Sequence, residues 1–189
     1  MTVFGDAAGS SHEFGRAMAS LRAMSLRPEI QLEETPAPRQ LAPYAAAMSA
    51  DVVVGDDELA TGRFVVLHDP DGDDAWDGTF RVVSFVRAEV EPEEAADSLL
   101  PAVGWSWLTD ALDTWQAAFH GASGTVTRLA EESFGLDRPP TAKVEIRASW
   151  TPRDAELGRH LAAWSDLLCQ AAGLPPVPPE VAVLRMRRH

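Results

Sequence analysis

His68 is followed directly by Asp69-Pro70-Asp71-Gly72-Asp73-Asp74, and clustered carboxylates of this kind supply the oxygen ligands that a hard cation such as calcium takes. The spacing opposes that chemistry. A calcium loop wants glycine sixth and glutamate twelfth, whereas counting from Asp69 puts Gly72 fourth and Phe80 twelfth, so a plain hairpin turn is expected here. His68 and His160 have the right side chain for proton transfer, but a general acid or base needs a polar partner within hydrogen-bond reach. The competing expectation for both is a packed histidine bonded to a carbonyl. Gly104-Trp105-Ser106-Trp107 and Gly121-Ala122-Ser123-Gly124 each place a serine two residues after a glycine, yet neither completes the Gly-x-Ser-x-Gly turn of a hydrolase nucleophile. Cys169 falls off the apolar stripe of its helix and is expected to be partly exposed; with no basic residue near it in sequence, nothing activates it. The sequence contains no HExxH, CxxC, GxGxxG or GxxxxGK[ST], so no metal and no cofactor is expected, and no reaction is legible.

Binding chemistry has better candidates. Trp105, Trp107, Trp150 and Trp164 combine apolar area with one donor each, a combination that suits cores, pockets and interfaces alike. Gly104 to Trp115 reads as a helix in which Trp105, Leu108, Ala111, Leu112 and Trp115, with Phe119 beyond, form one stripe, and Trp107 lies off it. Trp107 is therefore the tryptophan expected to meet a second surface. Val83 and Phe85 are apolar on the face of their strand opposite Phe80, Val82, Val86, Ala88 and Val90, which predicts a central strand, or one whose second face is covered by a partner or by the N-terminal helix. Ser84, polar on an apolar face, together with Arg87, Arg147 and His160, completes the set of candidate cavity-lining residues.

These residues need elements to hold them. Ser10 and Glu13 have capping-box spacing, and Phe14, Met18, Leu21 and Met24 recur at helical intervals, predicting a helix over about residues 11–25. Ile30 and Leu32 alternate with polar residues as in a half-buried strand; Pro36, Pro38 and Pro43 make an irregular connector. Further strands are predicted over 44–54, 63–68, 79–90, 123–134 and 142–150. Short helical segments follow Pro92 and Pro101, and Thr151-Pro152 with Asp154 predicts a helix start that runs to about Ala172. Val82-Ser84-Val86-Arg87-Ala88-Val90 matches Ala142-Val144-Ile146-Arg147-Ala148-Trp150, each strand leading to a tryptophan-bearing helix. Either an internal duplication or a chance match of short apolar patterns gives that correspondence. Strands in runs with helices after them predict an α+β fold: an antiparallel sheet of about six strands with helices packed mainly on one face, as two strand-strand-helix halves if the duplication holds.

The chain has 189 residues, 46% of them hydrophobic and 24% charged, which suits a single domain over 10–174 with a proline-rich extended tail over 175–189. The net charge of −13 disfavours direct binding to nucleic acid, and the basic cluster Arg185, Arg187, Arg188 reads as a solvated tail. No apolar run approaches the roughly 20 residues that span a bilayer, and the start of the chain lacks a signal-peptide layout. With a single cysteine, these features predict a cytoplasmic protein.

Seven stretches resemble an uncharacterised actinobacterial family, domain of unknown function 3000: Pro36 to Tyr44, Asp57 to Arg63, Gly104 to Leu108, Ser123 to Thr127, Arg138 to Thr141, Arg147 to Pro152 and Leu161 to Trp164, spread over a resemblance that covers most of 14–174. The resemblance implies a cytoplasmic bacterial protein and transfers no activity and no site residues. It also implies that genes of this kind often neighbour one for a ribonuclease-D-like exonuclease, which adds such a nuclease to the partners to be considered. The function expected is a non-enzymatic protein-interaction module, binding a partner or itself through Val83, Phe85 and Trp107. The alternative is a small-molecule-binding protein or unusual enzyme with a cavity between helices and sheet, touching Ser84, Arg87, Arg147 and His160.

Overall fold

The computed structural model describes residues 12–177. The proposed basic tail and the Ser10 half of the first capping box lie outside them. Helix α1 spans His12–Ala23; strands β1 Ile30–Thr35, β2 Tyr44–Val54, β3 Asp57–Asp73 and β4 Gly78–Val90 follow; then come helices α2 Pro92–Ala96 and α3 Leu100–Thr114, strands β5 Phe119–Glu131 and β6 Thr141–Pro152, and helix α4 Leu157–Ala171. The strands form one antiparallel sheet in the order β1-β2-β3-β4-β6-β5. The fold is α+β, with all the longer helices on one face of the sheet.

Alternation decides which face is which. Phe80, Val82, Val86 and Ala88 of β4, Val144, Ile146, Ala148 and Trp150 of β6, and Phe64 and Val66 of β3 are all buried in one core with α1, α3 and α4. Almost every residue of α4 is buried, because α1 covers one flank of it and α3 the other. Close approach at the seams depends on glycine. A Cβ on Gly62 would come within 2.7 Å of the Phe85 carbonyl and 2.8 Å of the Trp164 ring, and one on Gly158 would meet the Ser20 carbonyl at 2.5 Å.

The two halves matched in the sequence occupy symmetric places. In the order β3-β4-β6-β5 the halves flank the β4–β6 pair, and the matched residues Val86 and Ile146 are themselves cross-strand partners. A local twofold between them exchanges the observed pair Arg87 and Glu145 with the observed pair Arg147 and Phe85.

Several boundaries differ from expectation. Strand β6 continues through Pro152, which pairs with Phe119, and α4 starts only at Leu157; the Thr151 hydroxyl donates to the Trp76 carbonyl at 2.6 Å and so is not a helix cap. Phe119 opens β5 and does not belong to the α3 stripe, and β5 ends at Glu131, leaving Phe134 in the following loop, 85% exposed. The β3–β4 reversal lies at 74–77. Asp69 to Gly72 bulge out of the ladder between the pairs His68 with Phe80 and Asp73 with Gly78, with Gly72 at φ 82°.

Candidate functional site

The second face of the sheet is half covered. Ala47, Val65 and Leu67 form a small separate core there, closed by Ala37 and Ala42 of the connector between β1 and β2 and by Trp76 of the β3–β4 turn. The N-terminal helix, expected as one possible cover, packs on the opposite side, where Phe14 joins Tyr44, His68 and Phe80 in an aromatic group. The connector had looked structureless because proline-rich stretches carry no periodicity; its two alanines show their role only once the chain is folded over the sheet.

Beyond that small core no described residue packs over the second face. Across β3, β4, β6 and β5 the register aligns Arg63, Phe85, Arg147 and Thr125 in one row and Val65, Val83, Ser149 and Ser123 in the next. These eight line a shallow groove of about 660 Å³. Val83, in a central strand, is 41% exposed. Phe85 lies beneath two guanidinium groups, Arg87 at 5.6 Å and Arg147 at 5.3 Å from its ring centroid. One carboxylate ties both down: Arg87 Nε donates to Glu145 Oε1 at 2.8 Å, and Arg147 Nη2 donates to Glu145 Oε2 at 3.1 Å. The local twofold places the two arginines as equivalents around the β4–β6 seam, which is why they converge. Glu145 is buried among them, its side chain only 7% exposed. Beside the groove Arg81 donates to Ser149 Oγ at 2.6 Å, to Thr151 Oγ1 at 3.0 Å and to the Gly121 carbonyl at 3.1 Å, pinning β4, β6 and the start of β5 together.

The other expected site residues sit across the sheet. Ser84 is among the residues that line the groove, but its side chain has the helix-facing parity of β4 and its hydroxyl donates to the Ala148 carbonyl at 3.4 Å. His160 is wholly buried in α4, and its Nδ1 accepts the Trp150 indole N–H at 3.0 Å. That bond puts the imidazole proton on Nε2, and burial, followed by the opposed effects of Asp154 and Arg159, lowers its pKa to about 4. Among the described residues no hydroxyl, thiol or carboxylate is bonded to it, so none of them makes an acid–base pair with it. Ser84 and Arg147 thus line one groove, whereas His160 is buried across the sheet and Arg87 lies beside the groove, and the four do not form one cavity. Trp107 is also on the helix side. It is half-buried and lines a different groove, of about 700 Å³, with Leu100, Val103, Val90 and Ala171, so it cannot share a surface with Val83 and Phe85. Trp105 leans over Gly124, and Trp115 is half-buried with its Nε1–H donating to Asp166 Oδ2 at 2.6 Å; burial raises the Asp166 carboxyl pKa, and the indole bond opposes that rise.

The remaining chemistry candidates are structural. His68 is buried, donates from Nδ1 to the Thr79 carbonyl at 2.9 Å and stacks 4.2 Å from Phe80. In the acidic loop, Asp69 Oδ1 accepts the Asp71 amide and Asp73 Oδ1 accepts the Ala75 amide. Among the described residues no three His, Cys, Asp or Glu side chains are grouped to hold a metal ion. Cys169, expected to be partly exposed, is buried against the core, and burial pushes its thiol up to about 11. The helical wheel misplaced it because α4 is covered on both flanks as well as underneath.

A family model described as Protein of unknown function (DUF3000) matches residues 10–182. The chain belongs to that family. Comparison with curated proteins and with solved structures returned no match. The family model spans both sheet faces, including all eight groove residues, and its description assigns no activity to either. Arg63, Val65, Thr125, Ser149 and Glu145 were not among the residues that the sequence singled out, and Ser123 was weighed only as a nucleophile. Only Glu145 and Ser149 carried a visible signal, as outward positions of the cleanly alternating β6 strand; the others required the strand order. No described helix is long and apolar enough to cross a membrane.

Proposed function

We propose that this chain is a non-enzymatic protein-interaction module of the bacterial cytoplasm, and that the open half of its second sheet face is the surface a partner covers. The observation that supports this most directly is Val83. It sits in the middle of a central strand, and the neighbouring apolar positions of the same face, Val65 and Leu67, are closed off by the chain's own connector and by Trp76. A valine left 41% exposed beside Phe85 and above a groove of about 660 Å³ is the kind of apolar patch that marks an interaction site. Trp107 drops out of this surface, since it belongs to the helix layer.

The test is light scattering together with affinity capture, on the wild type and on Val83→Asp, with circular dichroism to verify that both are folded. The expected result is a partner, or a defined oligomer, that is lost when aspartate replaces Val83. A strict monomer that captures nothing refutes the proposal, and so does a partner held equally by both proteins.

A further inference from the structure

The chemistry of the groove points to the kind of partner, an inference that rests on the docking surface proposed above. Around the groove the second face presents Arg63, Arg81, Arg87 and Arg147 with the carboxylate of Glu145 among them, while Glu89 and Glu131 lie farther along the same face and Glu89 is 3.8 Å from Lys143, in a chain whose net charge is −13. Glu145 is divided between Arg87 and Arg147 and so neutralises only one of them. Arg63 and Arg147 flank Phe85 from the two adjacent strands, which sets their backbones roughly 10 Å apart. A guanidinium has five N–H donors. Among the bonds of the described residues, Arg147 spends Nη2 on Glu145 and Arg63 spends Nη2 on the Pro36 carbonyl, so both keep donors for a ligand at the groove. In the adjoining row Val83 is the exposed apolar residue, with buried Val65 on one side and Ser149 and Ser123 on the other.

We infer that the face recognises an acidic segment of a partner protein, with a carboxylate seated between Arg63 and Arg147 beside Phe85 and an aliphatic side chain lying on Val83. Charge complementarity selects this occupant. A second copy docked through the same face would set these arginines against themselves. A nucleic acid would find Val83 and Phe85 at the centre of the groove where it needs further cationic donors, with only the hydroxyls of Ser123, Thr125 and Ser149 beside them, and an extended polyanion meets the −13 charge of the whole chain.

The experiment titrates the full chain with short synthetic peptides of alternating glutamate and leucine, and with a twin in which glutamine replaces glutamate, following backbone amide signals by NMR. Inorganic phosphate and a single-stranded oligonucleotide are titrated alongside. The expected result is that the acidic peptide shifts Val83, Phe85 and Thr125, that its affinity falls with added salt, and that Arg63→Gln and Arg147→Gln each weaken it by about tenfold. Arg16→Gln, on α1 at the other face, should leave it unchanged. Equal binding of the glutamine twin, or indifference to both arginine substitutions, overturns the acidic recognition. In that event loss of binding in Val83→Asp still supports a docking surface, so the two failures are separable. Binding of phosphate or oligonucleotide at these arginines without binding of the acidic peptide also overturns the inference, as does the absence of any response at the groove.

Discussion

Acidification should weaken this fold through His160, and the size of the effect follows from its surroundings. The imidazole is wholly buried, accepts the Trp150 N–H at 3.0 Å through Nδ1 and has a pKa lowered from 6.5 to about 4, first by burial and then by the balance between Asp154 and Arg159. The folded protein therefore keeps His160 neutral at a pH where the unfolded chain has already taken up a proton. Its contribution is fully present above pH 6.5 and is lost as the pH falls from 6.5 towards 4. At about 1.4 kcal/mol per pH unit, the loss between pH 7.5 and pH 5 is about 2 kcal/mol, approaching about 3 kcal/mol near pH 4. Protonation also removes the acceptor from the Trp150 indole, so the two costs have one cause. Urea unfolding at a series of pH values, on the wild type and on His160→Leu, measures this. The leucine variant should be less stable at neutral pH, because the Trp150 N–H loses its acceptor at a cost of about 1–3 kcal/mol. Its stability should nevertheless fall less steeply between pH 6.5 and pH 4.5 than that of the wild type. Titrations of the carboxylates and the other histidines are common to both proteins and cancel in the difference. Parallel curves for the two would show that His160 is not held neutral by burial, and the reasoning would fail.

Two further results are expected. Cys169, with its thiol pushed up to about 11 in the core, should resist an aromatic disulfide reagent in the native protein and react fully once guanidinium unfolds the chain; rapid native labelling would contradict the packing of α4. Gly62→Ala should cost about 1–3 kcal/mol by overpacking, since its Cβ would sit 2.7 Å from the Phe85 carbonyl and 2.8 Å from Trp164, whereas Gly15→Ala, with open space around it in α1, should stabilise by about 0.5–1 kcal/mol; thermal melts of the pair that rank the other way would refute the seam between α4 and the sheet.

The residues that were legible are those whose role is set by local periodicity. The alternation of Ala142, Val144, Ile146, Ala148 and Trp150 marks β6 correctly, and the limits predicted for β2, Tyr44 to Val54, are the ones observed. Local signals misled where a side chain had a distant use. Thr151-Pro152 has the composition of a helix start, yet the Thr151 hydroxyl is bound to the turn at Trp76 and Pro152 completes the ladder beside Phe119. Cys169 looked peripheral on a helical wheel, but a wheel assumes one buried face and α4 has more.

For the candidate site the division is sharper. Period two along β4 was enough to identify Val83 and Phe85 as a second apolar surface, and matching β4 with β6 was enough to pair Arg87 with Arg147. Those are properties of single strands, fixed by the pleat. That Trp107, Ser84 and His160 lie on the other side of the sheet, that the connector at Ala37 and Ala42 covers half of the second face, and that Glu145 binds both arginines over Phe85 all depend on which strands are neighbours. The sequence by itself determined the class of fold and the apolar character of the face, while it grouped Arg87 and Arg147 with a cavity between helices and sheet; tertiary structure alone decided that the arginines meet Phe85, because strand order and register are set by long-range pairing that no local pattern encodes.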